Sequence, residues 1–187
     1  LAAPSGHRVE LYSETLDAMR FPGKEIEPEV LALLARKYAD RRIDAVVAVA
    51  PSALEFAEKY RARLWPSARI VYHSVPDQVL DRIGLSADTT GVPVRLALAD
   101  TVELALGLRP RTKRVVVISG VGDYDRMMVG LARADLARFA DRVQVEYWLD
   151  RTVDDMIVQV ASLPSDAIVV YLTVYRDAGG NVFTPRV

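Results

Sequence analysis

Three places in this chain carry residues whose type and spacing could do chemistry. The first is Ser52-x-x-Glu55, which follows the valine-rich run Ala45–Ala50 and Pro51. Serine and glutamate at that spacing form a capping box that opens a helix. The same hydroxyl, with the free N–H groups of the helix start, could also hold a carboxylate or a phosphate. Local sequence favours the cap over the ligand contact. The second place is Gly120-Val121-Gly122, between a strand and a helix as in a dinucleotide-binding loop. Its third glycine position is taken by Asp125, with Asp123 close by, and two carboxylates repel a pyrophosphate. A tight turn that ends a strand and caps a helix is the stronger reading. The third is a set of aromatic residues, Tyr124, Trp148, Tyr171 and Tyr175, each at or just after the carboxyl end of a strand in the second half. Rings there could stack on a ligand, although Trp148 and Tyr171 suit a core equally well.

Other chemistries find little to work with. There are no cysteines, which excludes a thiolate metal site, a disulfide framework and a cysteine nucleophile. The two histidines, His7 and His73, stand in no zinc-binding spacing, and His73 reads as a residue that orients a loop or lines a cleft. No G-x-S-x-G elbow is present for a serine hydrolase. Asp154-Asp155 fall in the first turn of a helix, where carboxylates offset the helix dipole. With 24 Lys+Arg against 25 Asp+Glu the formal net charge is −1, so no basic field argues for nucleic acid. The chain starts at Leu1 without a methionine or a signal-peptide pattern, and no apolar run approaches the roughly 18 residues of a membrane span. It is expected to be either cytosolic or a soluble piece of a longer protein, and the missing methionine favours the piece.

The elements that must position these residues alternate. Arg8–Tyr12 reads as a short edge strand, and Phe21-Pro22-Gly23 as a turn within the connection Ser13–Lys24. Pro28 opens a helix to Asp40, with Val30, Leu33, Leu34 and Tyr38 on one face. Ile43–Ala50, apolar without alternation, predicts a strand covered on both faces. A helix from Ser52 to about Leu64 follows, then a strand over Arg69–His73 and a helical turn over Val79–Gly84. Thr90–Leu96 reads as a strand that Pro93 demotes to an edge or a crossover. Asp100–Leu108 is helical. The pattern restarts with a strand from Arg114 to Ser119, a helix over Tyr124–Phe139 and a strand over Val143–Trp148. Thr152-x-x-Asp155 is a second capping box, opening a helix that turns Met156, Ile157 and Val160 inward. Ala167–Val174 is another buried strand, and Asp177-Ala-Gly-Gly180 turns a hairpin back through Val182-Phe183. Such alternation predicts parallel sheets with helices on both faces. A break near Leu96–Asp100 divides the chain into lobes over residues 1–96 and 97–187, whose loop edges face each other across a cleft.

Asp44–Pro66 (DAVVAVAPSALEFAEKYRARLWP) resembles the bacterial ABC-transporter substrate-binding-like proteins, which also occur as extracytoplasmic sensor domains of histidine kinases. The likeness continues through Gly91-Val-Pro-Val-Arg95, Leu108–Val117 and Leu163-Pro-Ser-Asp-Ala-Ile168. It implies an α/β fold of two Rossmann-like lobes with mainly parallel sheets, of the type I periplasmic-binding kind, truncated at both ends. A leading and a trailing strand–helix stretch are the parts expected to be missing.

Position by position, the resemblance places Ser13, Glu14, Ala50, Pro51, Ser52, His73 and Ser74 in cleft loops of the first lobe. In the second lobe it places Gly120 to Asp125 (Gly120, Gly122 and Tyr124 among them), Leu149, Asp150, Thr173, Val174 and Tyr175. Arg95 falls at the hinge. It implies a small-molecule ligand between the lobes, and the aromatic residues with the helix start at Ser52 suit one bearing a carboxylate. No cofactor, metal or catalytic residue is expected, and no nucleic-acid partner. Membrane contact is expected only through a parent chain outside the cytoplasm, and a homodimer is compatible with the pattern. The expected role is ligand sensing for a two-component histidine kinase. Transport of a solute is the alternative, and a nucleotide-using enzyme or a pure partner-binding module are the rivals.

Overall fold

The computed structural model describes residues 9–18, 20–21 and 26–183. His7, Arg8 and the Pro22-Gly23 turn lie outside the described residues. Val9–Tyr12 form no strand. Instead Tyr12 stands edge-on to Tyr38 with ring centroids 5.6 Å apart and accepts from Arg41 Nη1 at 2.6 Å. This stretch is tied to a helix by side chains, so it needs no partner strand.

Helix α1 spans Glu27–Lys37. Proline in its first turn supplies a preset φ, Glu27 and Glu29 sit at the positive end of its dipole, and Arg36 and Lys37 at the negative end. It buries Leu31 and Leu34, with Tyr38 just beyond, against Phe56 and Leu64. Leu33, expected on the covered face, is exposed. Strands β1 (Ala45–Val49), β2 (Arg69–Pro76) and β3 (Thr89–Val94) form a parallel sheet in the order β1-β2-β3. Pro93 is tolerated because β3 is an edge, and it pairs where the register shifts between His73 and Val75.

Helices α2 (Pro51–Leu64) and α3 (Asp77–Ile83) cover one face of this sheet, burying Ala48, Leu54, Ala57, Ile70, Tyr72, Val75 and Val79 together. The other face is open among the described residues: Val47, Val49 and Val92 are 63%, 55% and 69% exposed. The expectation of a strand covered on both sides is therefore corrected for β1. An unbroken valine run reports β-propensity; it does not report how many layers lie on the sheet.

The second sheet is parallel, in the order β5-β4-β6, from β4 (Arg114–Ile118), β5 (Gln144–Trp148) and β6 (Ala167–Tyr171). Here both faces of the central strand are covered. Helices α4 (Leu98–Leu108) and α5 (Asp123–Leu136), with the 3₁₀ turn Ala137–Phe139, enclose Val115 and Val117. Helix α6 (Val153–Ala161) encloses Val116 and Ile118 with Trp148 and Met156. Each fully buried valine contributes about 1.5–3 kcal/mol relative to an exposed one, which makes β4 the anchor of this half. The predicted cap at the start of α6 forms in half: Asp155 N–H donates to Thr152 Oγ1 at 3.2 Å, while the Asp155 carboxylate accepts from the Thr152 hydroxyl at 2.7 Å and not from the Thr152 N–H that a full capping box would use. The covered stripe of α6 is Val153, Met156 and Val160, which leaves Ile157, expected inward, exposed. The turn at Asp177–Gly180 brings Arg176 and Val182 into an antiparallel bridge.

The two sheets meet through α5, whose Met127 and Leu131 pack against the core cluster of the first sheet. Among the described residues no helix is long and apolar enough to cross a membrane, and no group of His, Asp or Glu could hold a metal ion.

Candidate functional site

A cleft of about 610 Å³ lies where the carboxyl ends of both sheets face each other. Its first wall is made by Leu16, Phe21, Ile26 and Val30 near α1, and by Ala50, Pro51, Ser52 and Phe56 at the start of α2. Its second wall is made by Gly122, Tyr124 and Met127 from α5 and its N-terminal turn, and by Tyr175 and Arg176 after β6. Most of this lining is apolar or aromatic. Tyr124 and Tyr175 stand edge-to-face, ring centroids 5.5 Å apart at 84°. Burial, and then the neighbouring Tyr175, push the Tyr124 hydroxyl pKa above its ordinary value, so it stays a neutral donor at physiological pH.

Charged groups ring the apolar lining. Lys59 pairs with Glu27 at 2.6 Å, Arg126 with Asp123 at 3.2 Å and Arg82 with Glu55 at 4.0 Å. Arg176 is different. Among the described residues it pairs with no carboxylate side chain, and Nη2 donates to the Arg20 carbonyl oxygen at 3.4 Å, reaching across to the first wall. The cleft therefore presents one guanidinium whose charge is not answered by a described side chain.

The two helix starts that border the cleft are built differently. At α2 the first helical residue is Pro51, so the helix begins one residue earlier than a Ser52 cap would place it, and Ala50 holds the cap position without any side-chain hydrogen bond. Ser52 is the second helical residue, and its predicted capping box with Glu55 does not form. The proline's fixed φ decides the start before the serine can. Ala50 itself is held at φ 74°, ψ 163°, a region that a side chain strongly disfavours. At α5 the helix is satisfied from within. Asp125, fully buried, accepts the N–H of Gly122 at 3.1 Å through Oδ2. Its carboxylate also accepts from Tyr175 N–H at 3.1 Å and Arg176 N–H at 3.2 Å. Gly120 is needed for this, because a Cβ there would overlap both Asp125 Oδ2 and the Arg176 carbonyl oxygen. The glycine pair that resembles a nucleotide loop makes room for the protein's own carboxylate.

Of the residues singled out from the sequence, the structure brings Pro51, Ser52, Gly122, Tyr124 and Tyr175 to the cleft. Ser13 is exposed, and Glu14 accepts hydrogen bonds from Lys37 Nζ and Tyr38 Oη, first the lysine and then the tyrosine holding its carboxyl below the usual carboxylate value. His73 Nδ1 lies 2.6 Å from Ser74 Oγ beside the β2 irregularity, with Ser74 at φ 58°. Gly120 is buried over Asp125, and the Thr173 carbonyl accepts from Gly120 N–H at 2.8 Å and Ser119 Oγ at 3.0 Å. Asp150 is exposed after β5, and Arg95 is exposed in the connection between β3 and α4. Trp148 is core, with the Arg151 guanidinium 4.5 Å from its ring centroid, and Tyr171 is exposed on β6. Sequence reasoning missed Arg176, Met127 and the wall from Leu16 to Val30. Arg176 directly follows Tyr175, and a lone cation after a strand end was the available signal.

The sequence matches no family model and no curated protein. Among solved structures, the chain is similar to the ABC domain in complex with L-Trp from Streptococcus pneumonia, with a TM-score of 0.51 at 16% identity over 75% of this chain and 50% of that one. A conserved domain protein from Vibrio cholerae o1 biovar eltor gives a TM-score of 0.49 at 17% identity over 72% and 46% of the two chains. The ligand-free, open structure of a substrate-binding protein with adhesive properties from Clostridium difficile gives 0.49 at 15% identity over 76% and 49%. The chain spans about half the length of the solved structures it matches. The first of these is a likeness of fold: this is an α/β chain of two three-stranded parallel sheets that shares its fold with the pneumococcal ABC domain.

Proposed function

We propose that the chain is the ligand-sensing part of an extracytoplasmic receptor for a two-component histidine kinase, holding a small molecule between lobes over residues 1–96 and 97–187. The observation that carries this is the cleft of about 610 Å³, walled by residues from both halves and lined with aromatic and aliphatic side chains around Arg176. That lining suits a small ligand with an aromatic or apolar body and a single carboxylate. The volume falls in the usual range for small-molecule sites. Ligand contact with both walls would favour a closed arrangement about the connection near Arg95, and closure is a change that a membrane-anchored parent could read. Carriage of a solute for a transporter is the second reading, favoured by the pneumococcal ABC domain with bound L-Trp. The two differ in the parent gene: a kinase follows the segment in one, and a permease gene neighbours it in the other.

The test is a thermal-shift and calorimetric panel of L-tryptophan, indole-3-acetate, aliphatic carboxylates, NAD and ATP. Stabilisation by an aromatic carboxylate, weakened roughly tenfold in Tyr175→Ala without a matching loss of melting temperature, is the expected result. Stabilisation by NAD or ATP alone would replace binding of a small carboxylate with a nucleotide enzyme. Silence across a broad metabolite panel would leave a partner-binding module.

A further inference from the structure

Asp125 is a buried carboxylate without a cation partner in the described residues, and it sits between the two stretches that build the second cleft wall. Its neighbours in sequence, Tyr124, Arg126 and Met127, line the cleft from α5. The backbone N–H groups it accepts belong to Tyr175 and Arg176, which line the cleft from the loop after β6. A buried carboxylate is costly unless its oxygens are filled, and here backbone donors fill them. Two further rungs hold the same loop: Gly120 N–H donates to the Thr173 carbonyl at 2.8 Å and Val121 N–H to the Arg176 carbonyl at 2.7 Å. Among the described residues, only Asp125 accepts from the amides of Tyr175 and Arg176, which line the cleft.

We infer that Asp125 is the positioning residue of the cleft's second wall, setting where the Tyr175 ring and the Arg176 guanidinium stand relative to a bound ligand. This rests on the reading of the cleft as a ligand site, but the positioning itself can be measured without any ligand. The contrast comes from Asp177, 1% exposed, at the far side of the same loop. It accepts from Val153 N–H at 3.2 Å and Asn181 N–H at 2.9 Å, and from neither cleft residue. Loss of either carboxylate should cost stability; only loss of Asp125 should loosen the cleft wall.

The variant is Asp125→Asn in the whole chain, with Asp177→Asn as control. Tyr175 N–H donates to both Asp125 oxygens, so whichever way the asparagine amide turns, its NH₂ faces an N–H that a carboxylate now accepts. Site-resolved amide exchange in the absence of ligand should show faster exchange at Tyr175 in Asp125→Asn, and at Arg176 as well in Asp125→Ala, with core amides of β4 still protected. In Asp177→Asn the change should fall on Val153 and Asn181. Binding of L-tryptophan and indole-3-acetate should weaken roughly tenfold or more in Asp125→Asn, the size expected when a charge-assisted hydrogen bond's worth of positioning is lost. Unchanged exchange at Tyr175 in Asp125→Asn, or at Tyr175 and Arg176 in Asp125→Ala, overturns the inference. So does loosened exchange with full-strength binding, because the wall would then not set affinity. If neither wild type nor variant binds a probe, the ligand-site reading fails, and the exchange data alone decide whether Asp125 positions the wall. Should Asp125→Asn not fold, Asp125→Ser, which keeps one hydroxyl acceptor in a smaller volume, takes its place with the same outcomes.

Discussion

The starts of α2 and α5 occupy equivalent places, each following the carboxyl end of a strand and each lining the cleft, yet they solve the same problem in opposite ways. Every helix leaves its first N–H groups without intrahelical acceptors. At α5 a carboxylate three residues in folds back, and the glycines at 120 and 122 give it room. At α2 no side chain caps the start, and the entry residue Ala50 is strained. The closed start is built for rigidity, and it spends its N–H groups on its own protein. The open start has no side-chain cap, and its residues Ala50, Pro51 and Ser52 line the cleft. A helix N-terminus can therefore be either a finished joint or an unfilled seat, and at α5 it is Asp125, the third helical residue, that finishes the joint.

The largest effect should come from breaking the closed start. Asp125→Ala leaves the amides of Gly122, Tyr175 and Arg176 buried without acceptors, which should cost roughly 3–5 kcal/mol. Urea unfolding measures it, and a cost below about 1 kcal/mol would mean that water replaces the carboxylate, so that this start is not closed by Asp125. At the open start the sign should reverse. Ala50→Gly removes the penalty of a positive φ, offset in part by glycine's greater unfolded-state freedom, for a net gain of about 1 kcal/mol. A destabilised Ala50→Gly would show that the alanine methyl earns its place by packing. Thr152 at α6 is an ordinary capped start for reference, and Thr152→Ala should cost about 1 kcal/mol.

The comparison extends to pH through Asp177. Burial raises its pKa, but the Asn181 side chain and the N–H groups of Val153, Asn181 and Gly179 together outweigh that and leave the folded-state value below the ordinary aspartate value. Its contribution to stability is therefore complete above the unfolded value of about 4 and is lost as pH falls through the lower folded value. The stability difference between wild type and Asp177→Asn should be flat from neutral pH to about pH 5 and shrink on further acidification. A difference that grows on acidification would reverse the sign assigned to this carboxyl.

Much of this architecture is legible in the amino-acid order, and the parts that are not have identifiable causes. The Val115–Ile118 run marks a central strand because β-branched residues in an unbroken row suit a sheet buried on both faces, and β4 is such a strand. The same run at Ala45–Val49 carries no mark of its open face, since what covers a sheet is decided elsewhere in the chain. Thr152 caps its helix because nothing precedes it to force an earlier start, whereas Pro51 preempts Ser52. Tyr124 and Tyr175 could be placed at strand ends by counting along the chain. Asp125 reads as a defect in a glycine loop, because two of its three backbone donors, Tyr175 and Arg176, lie some 50 positions away and only the fold assembles them. The cleft wall at Phe56 and Lys59 was hidden by helical periodicity, which separates inside from outside but does not distinguish a core from a pocket.

The smallest effect is the most discriminating for the open start. Ser52 is exposed, lies second in α2 and makes no capping hydrogen bond. Ser52→Ala should therefore change unfolding free energy by less than about 0.5 kcal/mol, as at an ordinary surface position, where a lost cap would cost about 1 kcal/mol. Any weakening of ligand binding by the same substitution then belongs to the hydroxyl in the cleft, because the helix has lost nothing. Measuring melting temperature and affinity for an aromatic carboxylate on one variant separates the two roles. A stability loss near 1 kcal/mol with affinity unchanged would mean that Ser52 caps α2 in solution, and that the open start is closed after all.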